Sequence, residues 1–138
     1  MTLKIAIVLG SKSDEALGAA VCETLGEYKI THEIFVISAH RDHEKLDKFC
    51  KSAGNKYAAI IAIAGLSAAL PGAIASRVKI PVIGVPADCG PLNGIDALLS
   101  IVQMPSGVPV ACMGIGKSGA KNAAHLAARI LGCAGKKN

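Results

Sequence analysis

The side chains best suited to chemistry stand in short stretches that directly follow apolar runs. The first is Gly10-Ser11-Lys12-Ser13-Asp14, where a glycine that permits a sharp turn precedes two hydroxyls and a carboxylate. The hydroxyls of Ser11 and Ser13, with the free N–H groups of a helix that begins here, suit a phosphate. Asp14 would repel a phosphate, so its functional interpretation is a bond to ribose hydroxyls. The structural alternative stays open, because Ser11 and Asp14 also fit the S-x-x-D pattern of a helix cap.

The second stretch is Ser38-Ala39-His40-Arg41-Asp42, which offers an imidazole beside a guanidinium. An imidazole can move a proton near neutral pH, and a guanidinium binds a phosphate through two parallel hydrogen bonds. We therefore interpret His40 as a general acid or base, Arg41 as a phosphate ligand and Ser38 as a substrate contact. An exposed loop without function is the alternative. The other histidines lack such neighbours and are predicted to lie on the surface or beside helices: His32, His43 and His125.

Two further stretches could approach a ligand through their backbone. Residues 64–72 read Ala-Gly-Leu-Ser-Ala-Ala-Leu-Pro-Gly, and such small side chains admit a ligand closely, with Gly65 and the hydroxyl of Ser67 as contacts. Tight packing of a helix on a sheet is the alternative explanation for this composition. Residues 84–94 are dense in glycine and proline, and long enough to form a lid or to reach a neighbouring subunit.

One stretch that resembles a nucleotide-binding motif is excluded. Gly114-Ile115-Gly116-Lys117-Ser118 matches the end of a phosphate-binding P-loop, but that motif needs a further glycine where this chain has Ala111. Too few residues follow to form the rest of a nucleotidase. The chain also lacks a cluster of metal-ligating side chains, a biotin-type Lys-Met acceptor and a dinucleotide-binding GxGxxG motif.

Apolar runs that are typical of buried strands alternate with segments of helical periodicity. The predicted strands are 5–9, 34–37, 58–63, 81–85 and 108–113, and the predicted helices are 14–27, one with Leu46, Phe49, Cys50 and Ala53 on a single face, 95–102 and 120–131. This alternation predicts one domain over residues 1–138, a three-layer α/β/α sandwich with a doubly wound, Rossmann- or flavodoxin-like parallel sheet of about five strands. Such a sheet has its ligand site at the carboxyl ends of the strands, where the stretches described above stand.

Composition narrows the function classes. Hydrophobic residues make up 51% and charged residues 18% of the chain, which predicts a sheet covered on both faces and further surface buried between subunits. The net charge is +5, but aromatics are only 3%, so we expect a small anionic substrate and no nucleic acid. No apolar run has the length of a membrane span, and no signal-peptide cleavage region follows the first strand. The chain has five cysteines: Cys22, Cys50, Cys89, Cys112 and Cys133. Three of them stand in predicted helices or strands, which favours reduced thiols and a cytoplasmic location.

These stretches, in this order, resemble one family across almost the whole chain, the phosphoribosylaminoimidazole carboxylase catalytic subunit. The resemblance covers residues 10–14, 38–41, 64–65 with 70–72, 81–86, and also 98–110, which read Leu-Leu-Ser-Ile-Val-Gln-Met-Pro-Ser-Gly-Val-Pro-Val. It implies an enzyme of purine biosynthesis that uses neither a metal nor an organic cofactor. It also implies a homo-octamer with its sites between subunits.

The family has two branches, and the third stretch bears on the choice between them. In bacterial mutases, which shift the carboxylate of a carbamate from nitrogen to carbon, this stretch reads Ala-Gly, three small residues and His-Leu-Pro-Gly. This chain has Ala69 in place of the histidine and Ser67 before it, and animal carboxylases likewise lack the histidine and carry serine. The sequence therefore favours carboxylation of aminoimidazole ribonucleotide (AIR) by CO2. The mutase reaction on N5-carboxyaminoimidazole ribonucleotide (N5-CAIR) is the alternative.

The chemistry itself needs few side chains. The aminoimidazole is an enamine whose ring carbon is already nucleophilic, so the protein has to hold CO2 in a small dry pocket and remove one proton. His40, the one imidazole in a ligand stretch, is predicted to take that proton. The non-enzymatic alternative is a flavodoxin-like binding module. A response regulator would need an acidic pair after the first strand, and a flavin carrier would need aromatics, neither of which these stretches contain.

Overall fold

Strands and helices alternate along the chain and build one parallel sheet. The computed structural model describes residues 3–134. Its strands are β1 (Lys4–Leu9), β2 (His32–Val36), β3 (Tyr57–Ala64), β4 (Val82–Pro86) and β5 (Ala111–Cys112), and its helices are α1 (Glu15–Glu27), α2 (His43–Ala53), α3 (Leu70–Ala75), α4 (Ile95–Val102) and α5 (Lys117–Ala134). The strand order is β2-β1-β3-β4-β5, and each adjacent pair is parallel. The predicted doubly wound α/β/α sandwich is confirmed.

The apolar core is divided between the two faces of the sheet, because successive side chains of a strand point to opposite sides. Ile60 and Ala62 of β3 pack with α2, α3 and α4, whereas Ile61 and Ile63 pack with α1 and α5. All four side chains are 0% exposed. Helices cover both faces, which explains why β3 is an uninterrupted apolar run rather than an alternating one.

Three elements differ from the prediction by more than two residues, and β2 begins at His32 rather than at position 34. β5 has two residues instead of spanning 108–113, because Pro109 has no N–H for the ladder and pairing with β4 begins only at Ala111. Residues 70–75 form α3, whereas the sequence places residues 70–72 in the stretch after the third strand. Pro71 stands in the first turn of α3, where a missing N–H costs no helical hydrogen bond. α5 begins at Lys117 rather than at position 120.

The cysteines whose side chains are described range from buried to exposed. Cys50 is buried, Cys22 and Cys112 are half-buried, and Cys89 is exposed, whereas the side chain of Cys133 lies outside the described residues. Burial raises the pKa of the thiols of Cys22, Cys50 and Cys112, which keeps them protonated at neutral pH.

Within residues 3–134, no helix has the length and apolar character needed to cross a bilayer.

Candidate active site

The loops that follow β1, β2, β3 and β4 meet at the carboxyl edge of the sheet, around a cavity of about 490 Å³. Parallel α/β sheets bind ligands at this edge, and the volume suits a mononucleotide. All eight residues predicted from the sequence as site residues line the cavity: Ser11, Ser13, Asp14, Ser38, His40, Arg41, Gly65 and Ser67. The fold therefore brings these residues together, and their individual roles stay predictions.

Backbone turns hold the three residues of the first loop. The Oγ of Ser11 accepts hydrogen bonds from the N–H of Ser13 at 3.3 Å and from the Oγ of Ser13 at 3.1 Å. Asp14 Oδ2 accepts the N–H of Ser11 at 3.1 Å, which completes a capping box around a 3-10 turn at Lys12–Asp14. The structural alternative for this motif is thus present. It leaves the second oxygen, Asp14 Oδ1, without a hydrogen bond among the described residues.

Asp14 is the buried carboxyl of this cavity, with 5% of its surface exposed. Burial raises its pKa, and the hydrogen bond from the N–H of Ser11 opposes that shift. The charged form is therefore poorly compensated by the protein alone. Hydroxyl donors of a ribose at Oδ1 would supply the missing compensation, in agreement with the functional interpretation of this residue.

Ser38 organises the second loop. This serine is 7% exposed, and its N–H donates to Asp42 Oδ2 at 2.9 Å. Its Oγ accepts the backbone N–H of Arg41 at 3.2 Å and the Nε–H of Arg41 at 3.3 Å. The two outer nitrogens of the guanidinium and the exposed imidazole of His40 make no hydrogen bond within the described part of the chain. Both groups line the cavity and are available to a ligand.

The third loop departs from regular backbone. Leu66 has a φ of +55°, and the N–H groups of Ala68 and Ala69 donate to the carbonyls of Leu66 and Ser67 at 2.8 and 2.7 Å. Leu66, Ser67 and Ala69 are exposed at the cavity, whereas Ala68 and Leu70 are buried beneath them. Because Ala69 is exposed, a larger side chain has room at this position.

Sequence reasoning missed two apolar contributors, Leu66 and Cys89. Cys89 belongs to the loop after β4, and its Sγ lies so close to Gly65 that a Cβ added there would overlap it. Gly65 therefore has a packing role in addition to any contact with a ligand. The signal that was available is the glycine itself, which marks the close approach of another group but does not say which one.

The excluded P-loop stretch is occupied by an acidic side chain. Gly116 has a φ of +78° and precedes the first turn of α5, and a Cβ added to it would lie 3.1–3.3 Å from the carboxyl group of Asp88. A carboxylate beside the start of α5 opposes the binding of a phosphate there. The geometry thus agrees with the exclusion of ATP binding at this stretch.

The sequence of almost the whole chain is similar to sequences of one known family. The sequence profile of AIR carboxylase matches residues 4–138. The chain belongs to the AIR carboxylase family. The N5-carboxyaminoimidazole ribonucleotide mutase of Escherichia coli K12 is 50% identical to it over 129 residues, which cover 93% of this chain and 76% of the relative. The enzyme of the same name from Saccharolobus solfataricus is 51% identical over 130 residues, which cover 94% and 81% of the two chains.

Solved structures of the family agree with the fold. A crystal structure of Treponema denticola PurE matches with a TM-score of 0.84 and 32% identity, over 94% of this chain and 80% of that chain. The predicted family and fold are confirmed. The names of these two relatives correspond to the mutase reaction, which is the alternative prediction from the sequence, rather than to the direct carboxylation that Ala69 and Ser67 favour.

Proposed function

We propose that this protein is an enzyme of purine biosynthesis that forms 4-carboxyaminoimidazole ribonucleotide (CAIR) from N5-CAIR. The observation that carries the proposal is the meeting of Ser11, Asp14, His40 and Arg41 at one cavity in a member of the AIR carboxylase family. Relatives at 50% and 51% identity bear the name of the mutase, which reverses the order of preference drawn from Ala69. Such an enzyme would act in the cytoplasm, because phosphorylated nucleotides do not cross membranes.

One side of the cavity suits a ribose phosphate. Ser11 and Arg41 follow the neighbouring strands β1 and β2, so a hydroxyl and a guanidinium can bind one phosphate from two loops. Asp14 Oδ1 accepts ribose hydroxyls, and the hydroxyl of Ser13 lies beside Ser11. The loop after β3 lines the cavity with the backbone of Gly65 and the hydroxyl of Ser67, which are donors suited to a carboxylate.

The reaction moves one carboxylate and needs one group that first donates a proton and later accepts one. The N–C bond of the carbamate breaks, its electron pair stays on nitrogen, and protonated His40 donates a proton to that nitrogen. The π electrons of the ring carbon then form a C–C bond to the released CO2. His40 removes the hydrogen of that carbon as a proton, which restores the aromatic ring. Substrate and product contain the same atoms, so the balance requires no second substrate.

Direct carboxylation of AIR by CO2 is the second candidate, and position 69 favours it. Ala69 stands where the mutases of the resembled family carry a histidine, and Ser67 matches the animal carboxylases. Both residues are exposed at the cavity. The two candidate reactions share the ring carbon, CO2 and His40. They differ in whether CO2 comes from solution or from the carbamate.

Supplying the two substrates separately tests the proposal. We expect the purified protein to convert N5-CAIR to CAIR in CO2-depleted buffer faster than N5-CAIR breaks down spontaneously to AIR and CO2. Formation of CAIR only from AIR, at a rate that follows dissolved CO2, would establish the carboxylase instead. A protein that is inactive with both substrates would refute the proposed function.

A variant at position 69 tests the basis of the branch difference. Ala69→His restores the imidazole, and Ala69→Gln is a control with a polar side chain of similar size that cannot titrate. If the imidazole serves the carbamate, the ratio of N5-CAIR turnover to AIR turnover should rise in Ala69→His and not in Ala69→Gln. Equal ratios in both variants would show that position 69 does not separate the branches.

We propose further that the subunits assemble into the homo-octamer that the resemblance implied. On α4, Ile95, Leu99 and Val102 follow one another at helical spacing and are 56%, 55% and 49% exposed. Asp96 of the same helix has a buried carboxylate oxygen, Oδ1, that has no hydrogen-bond partner among residues 3–134, and a donor from a second subunit would satisfy it. Light scattering of the purified protein measures the number of subunits, and a monomeric mass would contradict assembly.

A further inference from the structure

The cavity has an apolar corner that the proposed function leaves unused. It consists of Leu66, in the loop after β3, and Cys89, in the loop after β4; both line the cavity that His40 also lines. Leu66 is a large aliphatic side chain, yet it is 53% exposed. Such a side chain at a ligand cavity offers contact to an uncharged group rather than to a phosphate or a hydroxyl.

Two reciprocal contacts build the apolar corner. The Sγ of Cys89 fills the space above Gly65, and the side chain of Leu66 fills the space above Gly90. A Cβ on either glycine would overlap the side chain that lies against it. The loops after β3 and β4 are therefore packed together at this point, with Leu66 and Cys89 at their junction.

Leu66 is held in a backbone conformation that leucine rarely adopts. Its φ of +55° lies in the left-handed region, where a side chain is disfavoured and glycine is not. Strained residues of this kind are concentrated at ligand-binding sites. The position thus carries an aliphatic side chain at the cavity where the backbone alone would favour glycine.

We propose that Leu66 and Cys89 form the wall that retains CO2 beside the ring carbon. This inference rests on the proposed function. After the N–C bond of the carbamate breaks, CO2 either bonds to the ring carbon, whose proton goes to His40, or diffuses away and leaves AIR. An apolar wall keeps water out of the pocket and gives no donor to bicarbonate, which would lose its hydration there. The wall therefore determines how much of the carboxylate is transferred rather than lost.

The partition of N5-CAIR between its two products tests this role. Leu66→Gly suits the backbone and removes the wall, so we expect the ratio of AIR to CAIR to rise about tenfold, a moderate effect for an apolar pocket contact. The KM for N5-CAIR should stay unchanged, because the phosphate and ribose contacts are intact. If the enzyme uses dissolved CO2, the KM for CO2 should rise about tenfold while that for AIR stays unchanged.

Two further variants separate this role from a structural one. Lys29→Gly relieves the same backbone conformation, since Lys29 has a φ of +56° and does not line the cavity, and it should leave the partition unchanged. Cys89→Ala should shift the partition in the same direction as Leu66→Gly, and so keeps the test valid if one variant folds poorly. An unchanged partition in both corner variants of an active enzyme would overturn the inference. Inactivity of the unmodified enzyme with both substrates would overturn the proposed function and this inference with it.

Discussion

The two ends of the sheet differ in whether their charged side chains are hydrogen-bonded within the protein. At the amino end, Lys4 Nζ donates to Glu33 Oε1 at 2.8 Å, and the hydroxyl of Tyr57 donates to Glu33 Oε2. At the carboxyl end, the imidazole of His40 and the outer guanidinium nitrogens of Arg41 have no such partner within residues 3–134. Polar groups that satisfy one another hold strands together, whereas groups left unpaired beside a cavity are available to a ligand.

The carboxyl groups at the two ends show the same contrast. The hydrogen bonds from Lys4 and then from Tyr57 lower the pKa of Glu33, because both favour its charged form. Burial raises the pKa of Asp14, which receives one hydrogen bond from the described part of the chain, donated by the N–H of Ser11. At the amino end, groups of the protein thus compensate the charge of Glu33. At the carboxyl end, a ligand would have to compensate the charge of Asp14.

The largest effect is expected from exchanging a histidine at each end. His40→Asn should lower kcat by about 10²–10⁴-fold, because general acid–base catalysis typically contributes that much. The free energy of unfolding should stay unchanged. His32, whose Nδ1 lies 2.9 Å from the carbonyl oxygen of Ile30 at the amino end, is the matched control. His32→Asn should retain full activity. Near-normal turnover by His40→Asn would remove the proton-transfer role.

Substituting one arginine at the cavity and one outside it compares their effects on substrate binding. Arg41→Ala should raise the KM for the nucleotide about 10–150-fold, since a hydrogen bond to a charged group contributes about 1.5–3 kcal/mol. Arg77 bonds Asp47 at 2.9 Å on the surface outside the cavity, so Arg77→Ala should leave the KM unchanged. Steady-state kinetics measure both constants. The same KM in Arg41→Ala and the unmodified enzyme would place the phosphate elsewhere.

At the amino end, the expected loss is in stability rather than activity. Tyr57→Phe removes a hydrogen bond to a carboxylate from a side chain that is 3% exposed, and should lower the free energy of unfolding by about 1–2 kcal/mol. Turnover should be unchanged. Because the pKa of Glu33 is lowered in the folded state, its contribution is present above the ordinary value of 4.5 and is lost as the pH falls through the lowered value.

Urea denaturation of the two proteins from pH 7 downward checks this dependence. The difference in unfolding free energy between Tyr57→Phe and the unmodified protein should narrow in acid, as Glu33 becomes protonated. A difference that stays constant through that range would show that the stabilisation by the hydroxyl of Tyr57 does not depend on the charge of Glu33. Reduced turnover in Tyr57→Phe would contradict the separation of the two ends.

The smallest effect on stability is expected from Asp14→Asn. The pKa of Asp14 is raised in the folded state, so its contribution is present below the ordinary value of 3.8 and is lost as the pH rises through the raised value. Asparagine can still accept the N–H of Ser11 but carries no charge. At pH 7 the variant should therefore be as stable as the unmodified protein or slightly more so, while its KM for the nucleotide rises.

Denaturation at pH 7 and below pH about 4, where aspartate is largely protonated, distinguishes the outcomes. Any gain in stability should disappear at the lower pH, because both side chains are then neutral. A marked loss of stability at pH 7 would show that the capping box depends on the charge of Asp14. An unchanged KM would separate Asp14 from the ribose.

Particular elements show how far sequence reasoning reached. The continuous apolar run at β3 and the buried face of α2 were read correctly, since burial patterns are local properties of a strand or a helix. The predicted β5 is too long, because Pro109 has no N–H for the ladder and pairing with β4 begins only at Ala111. α3 was missed because its six residues are too short for helical periodicity, although Pro71 marks a first turn.

By itself, the sequence determined which residues follow the strands and hence that Ser11, Asp14, His40 and Arg41 stand at the carboxyl edge. The reason is local, since the end of an apolar run shows where a strand stops. Only the tertiary structure decided that the strand order brings the first two loops side by side, that Cys89 covers Gly65 and that Glu33 bonds Lys4 and Tyr57. Those contacts join residues far apart in the chain, and they depend on strand order and register, which no local periodicity records.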